Sequence, residues 1–419
     1  MNSAHLHRWL LFSVFSLVFA GVFAFFAAMA RTPAVRLFPV EELFRVALVV
    51  HVIFAVVIWF LGFKAVLWCY CAAGRGSAVS RLWSYGLYAA IAGMLMVAAS
   101  PLFSARPLLI DYIPLLLHPL YFGGLILIAL GMSAVALAYI KHSTGVKLDL
   151  PSYTMLLAAF VLFVTFLSFF SSAFINGTDY RALVWGPGHI FQVASTLAMA
   201  AAWFILLRET LGRDLDSPPV RRLLLLYLAV AMLMPGIYFF PRSEQFWLFT
   251  RAMMYGIALP SVFVGLLVLR ALAEQPSLEL RNPEVASLVY SSVLFGTGGA
   301  MGFFATSADL RVPAHYHGVL GAVTLAFMGA TYLLLRKLDI PYSRRAAMLQ
   351  PHLYGAGLLL IISGLFWAGM QSAPRKTVEY ADSATRLAMN LMGLGSVVAV
   401  VGGAAFVGVV LLALLRAGR

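Results

Sequence analysis

Apolar runs long enough to cross a bilayer recur along the whole chain, separated by short polar joints. A helical crossing needs roughly 20 consecutive apolar residues. Twelve stretches meet that length, at approximately 9–30, 42–72, 80–102, 115–140, 152–176, 184–208, 220–240, 247–272, 285–306, 315–336, 347–370 and 387–416. Helix breakers mark many of the joints: Arg31-Thr32-Pro33, Asn176-Gly177, Ser217-Pro218-Pro219, Gln275-Pro276, Asn282-Pro283 and Pro374. No soluble domain, low-complexity tail or clear internal repeat interrupts the pattern. It predicts an all-α fold, a polytopic integral membrane protein with about twelve transmembrane helices in one domain over residues 1–419. The first run ends in Phe25-Phe26-Ala27-Ala28-Met29-Ala30, which imitates a signal-peptidase site. The apolar stretch before it, from about Leu10, is longer than a usual signal h-region and reads as a retained span.

Composition agrees. Hydrophobic residues make up 62% of the chain and charged residues 11%, whereas a soluble domain is about one quarter charged. A net charge of +13 raises the question of nucleic acid, but the basic residues form no patch and sit in the joints. Membrane lipid, and no nucleic acid, is the expected surrounding. The even-numbered joints and both termini carry 17 basic groups and the odd-numbered joints 11, with Lys64 inside the second span. That excess favours cytoplasmic termini in a bacterial inner membrane. Cys69 and Cys71 lie two residues apart near a span end, so a helix points their thiols away from each other. No CxxCH is present, so the chain cannot attach a c-type haem covalently.

The histidines bring in chemistry. An ionisable residue inside a span is costly and marks a functional position. His51 lies inside the second span, His118 opens the fourth, His189 the sixth, and His315 and His317 the tenth. With the orientation above, all five start from the outer side. His352 opens the eleventh span from the inner side and stands apart. His118 reads as a hydrogen-bonding residue at a helix end. Residues i and i+2 differ by about 200° around a helix, so His315 and His317 face opposite sides and can serve two sites. Neutral imidazole is a common haem ligand, singly or as an axial pair.

These residues together resemble subunit I of the haem-copper oxidase superfamily, the catalytic subunit of cytochrome c oxidase and nitric oxide reductase. The resemblance covers essentially the whole chain. The tenth span reads Ala314-His315-Tyr316-His317-Gly318-Val319-Leu320, followed by Gly321-Ala322-Val323 and Phe327-Met328-Gly329; it is similar to the family's His-x-His helix. The sixth opens Trp185-Gly186-Pro187-Gly188-His189, similar to Trp-x-x-Gly-His. The joint after the eleventh span, Pro374-Arg375-Lys376 with Tyr380 and Asp382 beyond it, resembles the family's Pro-Arg-Arg segment.

Carried over, the resemblance implies His51 and His317 as axial ligands of a low-spin haem and His315 as proximal ligand of a second, high-spin haem. Tyr316 would lie between the two. Arg375 and Lys376 would neutralise propionates, and His189 would face the open side of the high-spin iron. The departures concern the second metal. The family's seventh-helix histidines are absent from Pro235-Gly236-Ile237-Tyr238-Phe239-Phe240-Pro241. One imidazole, His189, is a poor copper site where three nitrogen ligands are usual. Val193 stands where the oxidases carry a redox tyrosine, and Phe191 where they carry an acidic residue. No lysine occurs in Ala258-Leu259-Pro260-Ser261-Val262-Phe263-Val264, and all sixteen acidic residues fall in joints or at span ends. Tyr238 and Gln192 are candidates for lining the altered pocket.

The resemblance therefore implies a haem-dependent oxidoreductase of the respiratory chain, with two haems, b-type by default, an incomplete copper site and no proton pumping. Its electron donor would be a separate subunit with a c-type haem or copper centre, and its ligand a gas such as O2 or NO. Two alternatives stand beside this. One is an active terminal oxidase or nitric oxide reductase with unusual second-metal ligands. The other is a non-catalytic membrane protein, for transport or assembly, on the same fold.

Overall fold

Five of the spanning helices begin where a side chain caps the free backbone N–H groups of a first turn. The caps are His118, Asp149, Asp179, Asn282 and Asp382, and proline stands at the start of three of these helices, where its missing N–H costs nothing. Such punctuation, with the apolar runs between, produces among the described residues twelve helices long and apolar enough to cross a membrane: α1 Ala4–Arg31, α2 Glu41–Ala72, α3 Arg81–Phe103, α4 Pro119–Ser143, α5 Leu150–Asn176, α6 Tyr180–Leu211, α7 Pro218–Phe239, α8 Arg242–Ala273, α9 Pro283–Gly302, α10 Arg311–Lys337, α11 Arg344–Met370 and α12 Ser383–Ala417. This computed structural model describes residues 3–35, 40–73, 81–111, 113–305, 308–380 and 382–418. Arg36, Arg75 and Arg419, counted in the charge asymmetry, lie outside them.

All twelve expected spans are present. Their ends differ from the apolar runs because capped polar turns extend the helices. α6 begins at Tyr180 and α10 at Arg311, so His189 and His315 sit inside helices rather than at their first residues. Among the described residues four helices depart from α geometry, α3 through a 3-10 turn at Ser100–Phe103. α2 contains a π-helical segment at Ile53–Ile58 and α8 another at Ala252–Ile257, and α7 ends in a tighter 3-10 turn at Met234–Phe239. A short antiparallel hairpin, β1 Arg106–Leu108 with β2 Leu115–Leu117, joins α3 to α4. Cys69 and Cys71 are not joined in a disulfide.

The chain divides into two units. Residues 1–12 and 60–270 form the first, and residues 13–59 and 271–419 the second. In the first, α6 packs on α5 and α8 and is the most enclosed helix, with 89% of its apolar window buried. In the second, α10 packs between α9 and α11 and is enclosed to the same degree. Each unit thus contains one largely buried helix, and these two helices carry His189 and the His315–His317 pair.

Candidate functional site

In the second unit, His51 and His317 are held in the same manner by different parts of the backbone. His51 Nδ1 lies 3.0 Å from the carbonyl oxygen of Ala20 on α1. His317 Nδ1 lies 2.7 Å from the carbonyl oxygen of Pro313, one turn earlier on α10. A carbonyl can only accept, so each bond puts the proton on Nδ1 and leaves the lone pair on Nε2. Among the described residues neither Nε2 has a hydrogen-bond partner. A ring fixed through Nδ1 with Nε2 available is the usual arrangement of a metal-ligating histidine. His51 and Arg31 are near enough to His317 to act on it electrostatically. Tyr316 stacks on His317, with ring centroids 5.4 Å apart.

His315 points to the other side of α10. Its Nδ1 lies 2.7 Å from the carbonyl oxygen of Gly298 on α9, again leaving Nε2. Small residues make room for it. A Cβ at Gly302 would come within 2.7 Å of His315 Nδ1, and a Cβ at Gly298 within 2.7 Å of the Val319 backbone nitrogen. The helices touch through backbone there, and the imidazole lies in the groove. The opposite facing of His315 and His317 expected from their spacing is what α9, on one side, and His51 with Arg31, on the other, reflect.

Arg31 is the residue that sequence reasoning passed over as a topogenic charge. It ends α1, and its Nε donates to the Thr377 carbonyl at 3.2 Å and to the Tyr380 hydroxyl at 3.3 Å. Its Nη2 is buried and has no hydrogen-bond partner among the described residues. An unpaired buried guanidinium N–H is costly, and it fits an anionic group bound nearby. The loop it anchors is the Pro374-Arg375-Lys376 segment, with both basic residues half-buried. That loop is tied to the start of α10 by Leu310 N to Ala373 O at 3.1 Å and by pairing of Asp309 with Pro374. Asp309 holds Arg311 at 2.6 Å. Arg31, the Arg375–Lys376 loop and the histidine-bearing start of α10 are therefore one construction. The donor set suits haem: imidazole Nε2 for iron, and guanidinium and ammonium groups for its carboxylates.

In the first unit, His189 lies 4% exposed on α6, with Nδ1 2.6 Å from the Trp185 carbonyl oxygen. Trp185 and Phe249 flank it, at centroid distances of 5.2 and 6.5 Å. Tyr238 packs against the Phe249 ring at 5.1 Å, and its hydroxyl meets Ser168 Oγ on α5 at 3.0 Å. His189 and Tyr238 thus share one aromatic wall. Gln192 is half-buried, and its carbonyl accepts from Thr196 Oγ1. Among the described residues no group of three or more His, Cys, Asp or Glu is placed to hold a metal ion.

His118 and His352 differ from these four. His118 Nδ1 accepts the Leu120 N–H at 3.2 Å and caps α4. His352 engages both nitrogens, Nε2 with the Leu280 carbonyl at 2.9 Å and Nδ1 with Tyr290 Oη at 3.4 Å.

Residues 6–404 match the family model described as cytochrome C and quinol oxidase polypeptide I. An uncharacterized protein of Aquifex aeolicus is 28% identical over 343 residues, covering 79% of this chain and 84% of that protein. An uncharacterized protein of Rickettsia prowazekii is 23% identical over 97% of this chain and 95% of its own length. Cytochrome c oxidase subunit 1 of Thermus thermophilus is 28% identical over 51% of this chain and 44% of its own. A solved structure of a heme-copper terminal oxidase dimer superposes with a TM-score of 0.83 at 17% identity, covering 99% of this chain and 84% of that one.

Proposed function

This chain belongs to the cytochrome c and quinol oxidase polypeptide I family, and we propose that within it the protein is a membrane electron-transfer oxidoreductase with two haem sites and an altered second-metal site. The observation that carries this reading is the His51–His317 pair. Two imidazoles come from different helices, each with Nδ1 bound to a carbonyl, the first acting electrostatically on the second, beside an arginine whose buried Nη2 lacks a partner among the described residues.

Bound haem supplies a one-electron carrier where two imidazoles ligate it and an iron open to a small gas where one does. His51 and His317 would hold the first and His315 the second. The Ala20, Pro313 and Gly298 carbonyls fix the tautomer and ring orientation and raise the basicity of Nε2. Arg31, Arg375 and Lys376 would neutralise the carboxylates. Tyr316, stacked on His317, would lie between the two haems. His189 and Tyr238 would line the gas side, with Phe239 and Phe240 where further metal ligands would be needed. The sixteen carboxylates sit at span ends or in joints, which supports electron transfer without pumping. A separate subunit with a c-type haem or copper centre would supply electrons, and O2 or NO would receive them, at a bacterial inner membrane with both termini in the cytoplasm.

The test is a reduced-minus-oxidised spectrum of purified protein, with pyridine haemochrome and metal content measured on the same sample. The expected result is a low-spin α band, two haems per chain and iron in that same ratio. Absence of a Soret band overturns the proposal. About one non-haem copper or iron per two haems would instead favour a complete oxidase or nitric oxide reductase.

A further inference from the structure

Lys64 is wholly buried in α2, about 12 Å of helix rise from its end at Ala72. Its Nζ lies 2.9 Å from Ser195 Oγ on α6 and 3.5 Å from the carbonyl of Phe60 on its own helix. The Phe191 ring lies beneath it, 4.3 Å from centroid to Nζ. Ser195 in turn donates to the Phe191 carbonyl at 3.0 Å.

Among the described residues no carboxylate or other charged group acts on this lysine. Several titratable groups of its own helix and of the helices packed against it are engaged elsewhere, whereas the buried Tyr121 hydroxyl of α4 has no hydrogen-bond partner among the described residues. Tyr139 of α4 donates to Ser152, and Tyr153 of α5 lies under Arg221. Glu209 of α6 bonds Arg208 and Tyr70, and His189 bonds Trp185. Cys69 and Cys71 are nearer the end of α2.

An ammonium has three N–H donors, and here only Ser195 Oγ is a good acceptor, with Phe60 O at the limit of hydrogen-bonding distance. A neutral amine has two donors, which these acceptors match, and a free lone pair. Yet the aromatic face beneath is positioned to receive a cation. The geometry suits both forms. We propose that Lys64 is a proton-exchange site inside the membrane. Its amine takes one proton from water to become an ammonium over Phe191 and returns it unchanged.

In the haem reading, on which this second step rests, the proton at Lys64 offsets the charge of an electron entering the protein. It balances charge; it does not pump.

The first experiment does not depend on haem. The chain has five lysines. In protein labelled with 13Cε-lysine, the resonance missing from K64R identifies Lys64, and K64M checks the assignment. The expected result is that this signal moves from the neutral to the charged shift on acidification within pH 5–9 while the other four stay charged. A Lys64 signal at one fixed shift across that range overturns the proposal. The second experiment reads proton uptake with an indicator dye as dithionite reduces the protein. K64M is expected to take up about one proton fewer per chain than wild type. Equal uptake with full haem reduction overturns the coupling, whereas a wild type with no reducible haem overturns the haem reading and leaves the titration to decide Lys64.

Discussion

Arg31 and Tyr380, separated by almost the whole chain, meet side chain to side chain at 3.3 Å, Nε to Oη. The contact aims the guanidinium so that Nη2 is buried without a partner, while the whole group acts on His317. A fixed positive charge beside a haem favours its reduced form. Arg31→Ala should therefore lower the midpoint potential of the low-spin haem by tens of millivolts without abolishing its spectrum. Spectroelectrochemical titration reads this, and Tyr380→Phe should give a smaller shift of the same sign.

His51→Ala and His317→Ala should each abolish the low-spin α band, because a bis-imidazole site cannot survive on one ligand. His315→Ala should leave that band and remove the carbon monoxide difference spectrum. Unchanged spectra in His51→Ala or His317→Ala would refute the axial pair.

Gly302→Val should displace His315, since even a Cβ there would lie 2.7–2.8 Å from the imidazole ring. Overpacking of this kind costs about 1–3 kcal/mol. The expected signature is a weakened carbon monoxide signal with the low-spin band intact.

Asp179 caps α6, accepting from the backbone N–H of Ala182 at 3.1 Å and of Arg181 at 3.0 Å, and it pairs with Arg242. The Ala182 bond, against partial burial, and the Arg242 charge hold its carboxyl below the usual range. A carboxyl depressed in the folded state contributes stability that is present above its unfolded value of about 3.9 and lost as pH falls through the folded value. Asp179→Ala should cost about 1 kcal/mol at neutral pH. Thermal melts in detergent should show the gap between variant and wild type closing below about pH 4.

Much of the site could be read from residue types at span positions. The opposed facing of His315 and His317 comes from helix geometry alone, and the twelve spans come from hydropathy. The roles set by tertiary contact did not. Arg31 looked like an ordinary basic residue flanking a span, because its partners Thr377 and Tyr380 lie more than 340 residues away. His118 and His189 both looked like histidines near the start of a span, yet one accepts a backbone N–H as a cap and the other meets a carbonyl. Hydrogen-bond direction separates them, and no pattern of types records it. Lys64 was visible as an anomaly, but its serine and phenylalanine neighbours come from another helix.

The π-helical segment at Ile53–Ile58 sits between His51 and Trp59. His51 is turned toward Ala20, while Trp59 packs against Phe327 and Phe406 at 6.0 and 6.4 Å. The wider turn carries one residue more than an α-helix would, which rotates the remainder of the helix by about 100°. The segment thus works as a fixed angular spacer. Deleting one residue within 53–58 would turn the segment into ordinary α-helix with His51 and Trp59 in the same relative facing, whereas forcing all of these residues into α geometry would turn one of the two away from its partners by about 100°.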